Sequence, residues 1–234
     1  MQIINMMFIL AALCMGNTYA ETIEGIKPIL KYDLNYYSTY NNKNFDSKYL
    51  VVVPEKWSFP KGRQYTKFKR ALDILPEVMN SEKFKLKVLS YVNSDGKRQF
   101  QKNYLWSEKT RRLTNEEVYR LIIEGNEYKR PNSIGEMNLN SYVKICRWYE
   151  QVTTWCRAVI GSTNPSQSKW IRLNWKFYSH YNVDQMVSNL VHEWLHLLGF
   201  LHGNKNMREE VPYVVGAIAG EVTKEILSEH GLEN

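Results

Sequence analysis

Apolar and polar positions separate most sharply across residues 183–198. At about 100° per residue, Val183, Met186, Val187, Leu190, Val191, Trp194, Leu197 and Leu198 fill one broad arc. Gln185, Asn189, His192, Glu193 and His196 gather opposite it, so the pattern predicts an amphipathic helix with a polar stripe. Asn182 and Gln185 form a capping box at its start, and Gly199 supplies the residue best suited to a left-handed turn after its end.

Elsewhere the pattern is shorter in range. Residues 170–178 alternate, with Ile171, Leu173, Trp175 and Phe177 on one side and Arg172, Asn174 and Lys176 on the other, which predicts a strand. Residues 141–149 and 154–160 flank the polar turn 150–153 and predict a hairpin. Residues 64–79 predict a helix kinked or ended near Pro76, and Thr114 with Glu117 opens a capped helix through about Glu124. A short strand is expected at 49–53 and a final helix at about 217–229, while 82–92 fits helix or strand. There is no internal repeat or heptad run, and residues 21–48, rich in Tyr and Asn, are expected to run over the surface.

The polar stripe carries chemistry. Residues 192–202 read HEWLHLLGFLH, which gathers three of the five histidines of the chain into H-E-x-x-H-x-x-G-x-x-H. His192 and His196 stand one helical turn apart, so both imidazoles reach one ion from the same side. Glu193 is rotated away from that stripe, placed to hydrogen-bond a water rather than to ligate. Gly199 turns the chain so that His202 can approach as third ligand, and three protein ligands leave a fourth position open. The bland alternative is a helix whose histidines are merely solvated.

This motif resembles that of the metzincin group of zinc metallopeptidases, over about 35 of the 234 residues. The resemblance implies an α+β fold: a compact metzincin-like catalytic domain with a twisted mixed sheet, an active-site helix and a C-terminal helix. It implies one catalytic Zn2+ on His192, His196 and His202, Glu193 as the base that activates water, and a protein or peptide substrate held along an edge strand, for which residues 154–160 are the candidate. One departure stands out. Met207 follows His202 by only five residues within the polar stretch GNKNMREE, whereas metzincins place a methionine turn further downstream. The segment Val211-Pro212-Tyr213 is therefore the expected floor of the site, with Met207 the alternative. Tyr213 then reaches the zinc or the reacting oxygen, or is an ordinary buried aromatic.

Composition narrows the setting. The first twenty residues lack charged side chains, contain an apolar run and end in Thr18-Tyr19-Ala20, so a signal peptide is expected at 1–20, with one domain at 21–234. Export would leave Cys146 and Cys156 as an even pair, expected as a disulfide contributing on the order of 2–3 kcal/mol, with free thiols or metal ligation as alternatives. The net charge of +7 comes without a nucleic-acid motif, so no nucleic-acid partner is expected. A secreted or periplasmic monomer without a stable membrane span is the expectation. The function expected is zinc-dependent endopeptidase; the alternatives are an amidase or deacylase of cell-envelope material, and a non-catalytic exported binding protein with a structural metal. His180 fits a surface position or support of the metal site, His230 an exposed one, and Glu221 a hydrogen bond to a metal-site histidine.

Overall fold

The structure, a computed structural model, describes residues 19–22, 30–32, 49–100, 104–105, 112–127, 132–164, 170–203, 207–232 and 234. The expected signal peptide lies outside these residues apart from Tyr19 and Ala20, as does most of 21–48. The first half comprises β1 (Tyr19–Thr22), β2 (Val51–Ser58), α1 (Arg63–Asn80), α2 (Glu82–Ser90), β3 (Tyr104–Leu105) and α3 (Asn115–Glu124). The second comprises β4 (Glu136–Lys144), α4 (Thr154–Ala158), β5 (Val159–Thr163), β6 (Trp170–Asn174), α5 (Trp175–Tyr178), α6 (Val183–Leu197), β7 (Phe200–Leu201) and α7 (Val211–Glu229). The chain is thus mixed α and β.

Four strands form the main sheet in the order β5-β6-β4-β2, and β1 adds to the outer edge of β5. β4 runs parallel to both β2 and β6, whereas β5 is antiparallel to β6 and to β1. The expected hairpin between 141–149 and 154–160 is therefore corrected: β6 lies between β4 and β5. Residues 148–152 form a 3-10 helix and 154–158 a helical turn, so only the end of the second segment is strand. Alternation identifies a strand without identifying its partner, and a parallel partner needs a long crossover.

The 170–178 strand is shortened for a visible reason. Asn174 ends β6: its Oδ1 accepts from the Lys176 N–H at 3.1 Å, while its Nδ2 donates to the Val159 carbonyl at 2.8 Å. α1 runs through Pro76 instead of ending there, because Leu75, Val78 and Met79 are buried on either side of it. Asn80 then ties its end to β2, exchanging hydrogen bonds with the backbone of Leu50 at 2.8 and 2.9 Å. Residues 82–90 resolve as helix, started by Ser81, whose hydroxyl accepts from the Phe84 N–H. The Thr114–Glu117 capping box is present.

α6 is the buried centre. Met186, Val187, Leu190, Val191 and Trp194 are buried in a core shared with Phe68 and Leu75 of α1 and Val214, Val215 and Ile218 of α7. α7 starts at Val211, earlier than the 217 expected, with Pro212 in its first turn, where a missing N–H is harmless. α6 and α7 approach so closely that a Cβ on Gly216 would sit 2.8 Å from the Ser188 carbonyl oxygen, and one on Gly220 3.1 Å from that of Asp184. No helix among the described residues is long and apolar enough to cross a membrane.

Candidate metal centre

The three motif histidines converge. The ring centroids of His192 and His196 lie 5.1 Å apart, and those of His196 and His202 4.6 Å apart. Nε2 of His192 and Nε2 of His202 are separated by 3.3 Å, and one ligand atom from each ring lies within 4.8 Å of the others. Gly199, at φ 98°, reverses the chain, and β7 then pairs with β3 (Leu105↔Phe200), which fixes the approach of His202.

Each ring is held from behind. His196 Nδ1 lies 2.7 Å from the Phe200 carbonyl oxygen, and the His192 ring hydrogen-bonds the Pro212 carbonyl. His202 Nδ1 lies 2.8 Å from Glu210 Oε2, while Glu210 Oε1 accepts from the Gly203 N–H at 2.7 Å. An acceptor on one ring nitrogen fixes the tautomer and turns the other nitrogen toward a metal as a lone pair. Glu221, expected as a candidate for this supporting role, does not fill it. It instead accepts from Tyr32 Oη at 2.7 Å and pairs with Lys87 at 2.8 Å.

Burial sets the protonation. Desolvation holds His192 well below its ordinary 6.5, helped by its two histidine neighbours, and lowers His196 to about 3 and His202 to about 4. Neutral imidazoles are the metal-binding form. Burial pushes Glu210 the other way, up to about 8, against the Gly203 N–H.

These shifts fix how the chelated protein responds to acid. An unfolded chain takes up three histidine protons near 6.5; the folded chain refuses those of His196 and His202 until about 3 and about 4, and that of His192 until well below 6.5, so stability present above pH 6.5 is lost as pH falls below it. Glu210 acts oppositely, losing stability as pH rises from its ordinary 4.5 toward 8, but it is one group against three. The melting temperature of chelated protein is therefore expected to drop between pH 6.5 and 4.5; a flat or rising profile would contradict this assignment.

Glu193, next to His192 in the chain, is fully buried, its Oε2 accepting from Thr163 Oγ1 of β5 at 2.8 Å. Gly161 of β5 makes room for it: a Cβ there would lie 2.6 Å from Glu193 Oε1 and 2.9 Å from Asn189 Oδ1. Tyr178 Oη donates to that Asn189 oxygen at 2.7 Å. Tyr213 packs its ring 4.7 Å from His192 and 4.8 Å from His202, so the Val211–Tyr213 segment does border the site. The side chain of Met207 lies outside the described residues. The strand beside Glu193 is 159–163, which overlaps the expected edge at 154–160 only at Val159 and Ile160, and its outer edge carries β1. A cavity of about 280 Å³ opens next to His192 and Tyr213, bordered also by Ile160, Asp184 and Ser188.

His180 and His230 are both exposed, and Cys146 and Cys156 form the expected disulfide. Sequence reasoning missed Glu210, Thr163 and Gly161. Glu210 stands at the start of an apolar helix, which makes a cap readable, but nothing local points it at His202. Comparison with protein-family models, curated proteins and solved structures finds no match to this chain.

The donor set fits a borderline-soft divalent cation. Lone pairs of two neutral imidazoles facing each other at 3.3 Å repel, and a cation between them reverses the sign of that contact. Replacing Glu210 with Gln removes the carboxyl that can ionise behind His202 when a cation binds, and is expected to weaken metal affinity about 10–100-fold. A competition titration against a chromophoric chelator checks this; affinity equal to wild type would leave Glu210 without a supporting role.

Proposed function

We propose that this chain is an exported zinc-dependent endopeptidase of metzincin type. The observation that carries the proposal is the convergence of His192, His196 and His202, with Glu193, next to His192 in the chain, fully buried. The Cys146–Cys156 disulfide fits an extracytoplasmic setting. His192, His196 and His202 would hold the ion. Zinc, when bound, supplies a Lewis acid that polarises a carbonyl and makes water more acidic, from a pKa of about 15.7 towards about 7.

The protein does the rest. Glu193 takes the proton of the attacking water and delivers it to the leaving amine nitrogen. The Thr163 hydroxyl, donating to Oε2, holds that carboxyl in one orientation. Tyr213, against His192 and His202, contributes its phenol to the oxygen on which negative charge develops. A structural metal site has no use for a buried base such as Glu193, which argues against a purely bracing role.

The test is a digest of an unstructured protein and, in parallel, of cell-wall fragments, with and without chelator and with zinc restored. Chelator-sensitive cleavage of the protein supports the proposal. Hydrolysis of cell-wall fragments alone would replace it with the amidase reading, and no hydrolysis of either would overturn it.

A further inference from the structure

Residues 145–158, between β4 and β5, form a short excursion closed by the Cys146–Cys156 disulfide. Its large side chains face outward. Trp148 is 85% exposed, Val152 74%, Ile145 58% and Tyr149 50%. Single exposed apolar residues are ordinary, but four within eight residues, three of them inside the covalently closed loop and Ile145 just before it, make a patch.

Their contacts are local: Arg147 donates to Tyr149 Oη at 2.8 Å, and the Trp148 and Tyr149 rings meet edge to face at 5.8 Å. None of the residues in the 3-10 helix Trp148–Val152 is buried. The loop is braced further by the disulfide, by the Lys144–Glu150 ion pair at 2.6 Å, and by Thr153, whose hydroxyl caps α4. The side chains of Val152 and Ile145 take no part in this bracing. Exposures this high also mean that the tips stand off the surface rather than line a groove.

The surrounding charge is net positive. Residues 144–157 carry Lys144, Arg147 and Arg157 against a single carboxylate, Glu150. Both oxygens of Glu150 are engaged, by Lys144 Nζ at 2.6 Å and the Arg147 backbone N–H at 2.7 Å. Lys176 joins the cluster by donating to the Arg157 carbonyl at 2.7 Å, and the Arg172 guanidinium lies 4.1 Å from the ring centre of Trp155.

We propose that this disulfide-closed loop docks the protein on an anionic lipid bilayer, with Trp148, Val152 and Ile145 entering the interfacial layer and Arg147, Arg157 and Lys176 pairing with lipid phosphates. Tryptophan and tyrosine settle at headgroup depth, and cations beside them add attraction to anionic lipid. A protein partner would need a cavity shaped for four protruding tips and lined with acid, whereas a bilayer receives them without shape complementarity. β5 leads from this loop to Thr163, the residue that holds Glu193. Five strand residues span roughly 17 Å, so docking brings the candidate site close to the lipid surface. The surface does not depend on the peptidase reading.

The experiment is co-sedimentation of the full chain with vesicles of phosphatidylcholine alone or mixed with phosphatidylglycerol, at low and high salt. Wild type is expected to sediment with the anionic vesicles and to be released by salt. The Trp148→Ser/Val152→Ser double variant, altered only at exposed positions, is expected to partition at least about tenfold more weakly with an unchanged melting temperature. Arg147→Gln/Arg157→Gln is expected to bind weakly at both salt concentrations. Wild type failing to sediment with anionic vesicles at low salt would overturn the proposal. So would a double variant that sediments like wild type, or binding to soluble polyglutamate but not to vesicles.

Discussion

Glu193→Gln is expected to keep one zinc per chain at close to wild-type affinity while losing peptide hydrolysis by about 10²–10⁴-fold. The glutamine has nearly the same shape and can still accept from Thr163 Oγ1, which approaches Oε2 at 2.8 Å, so the pocket does not have to rearrange. What disappears is the carboxylate that accepts a proton. Metal analysis and a fluorogenic peptide assay on the same preparation separate the two effects. Full turnover in the variant would remove Glu193 from the chemistry.

His196→Ala is expected to lose both stoichiometric zinc and all measurable hydrolysis. His196 is fully buried and is the ring whose centroid lies nearest to that of His202, at 4.6 Å. Without it two imidazoles remain, which is too few for a tight site. The substitution also strips the Phe200 carbonyl of its partner at 2.7 Å, and a buried acceptor left unsatisfied costs about 1–3 kcal/mol. Chelated wild type and the variant should therefore differ in melting temperature even before metal is added. Metal analysis after dialysis decides the main point: an equimolar zinc content in the variant would mean that the ion, if bound, sits elsewhere.

Under the proposed function the two variants divide the site into holding and reacting parts, and the same division separates what could be read in the sequence from what could not. The holding part is largely local. His192 and His196 share a helix face, the Asn182–Gln185 capping box fixes where that helix begins, and Gly199 fixes where it turns. Periodicity and backbone preference suffice for all of these, and the structure places the three rings together. The helix was expected to carry its histidines on a polar face, and that face is itself buried, covered by β5 and α7.

What covers it was not legible. Thr163 and Gly161 reach Glu193 through a sheet order in which β6 intervenes between β4 and β5, and adjacent alternating segments suggest a hairpin instead. Pairing depends on which strands meet in space, so a local pattern misleads there. Glu210 meets His202 from eight positions further along the chain, and Glu221, a candidate for such a bond from its place on α7, is engaged by Lys87 and Tyr32. The disulfide was expected from cysteine parity, yet it closes a loop containing a 3-10 helix and a helical turn rather than crossing a hairpin.

The measurement closest to the central claim is zinc-edge X-ray absorption of the purified chain, paired with its zinc content. The account predicts one zinc per chain coordinated by three imidazole nitrogens, with the remaining position held by an exchangeable solvent atom. A chain that retains no zinc, or a spectrum requiring a fourth protein ligand, would contradict it.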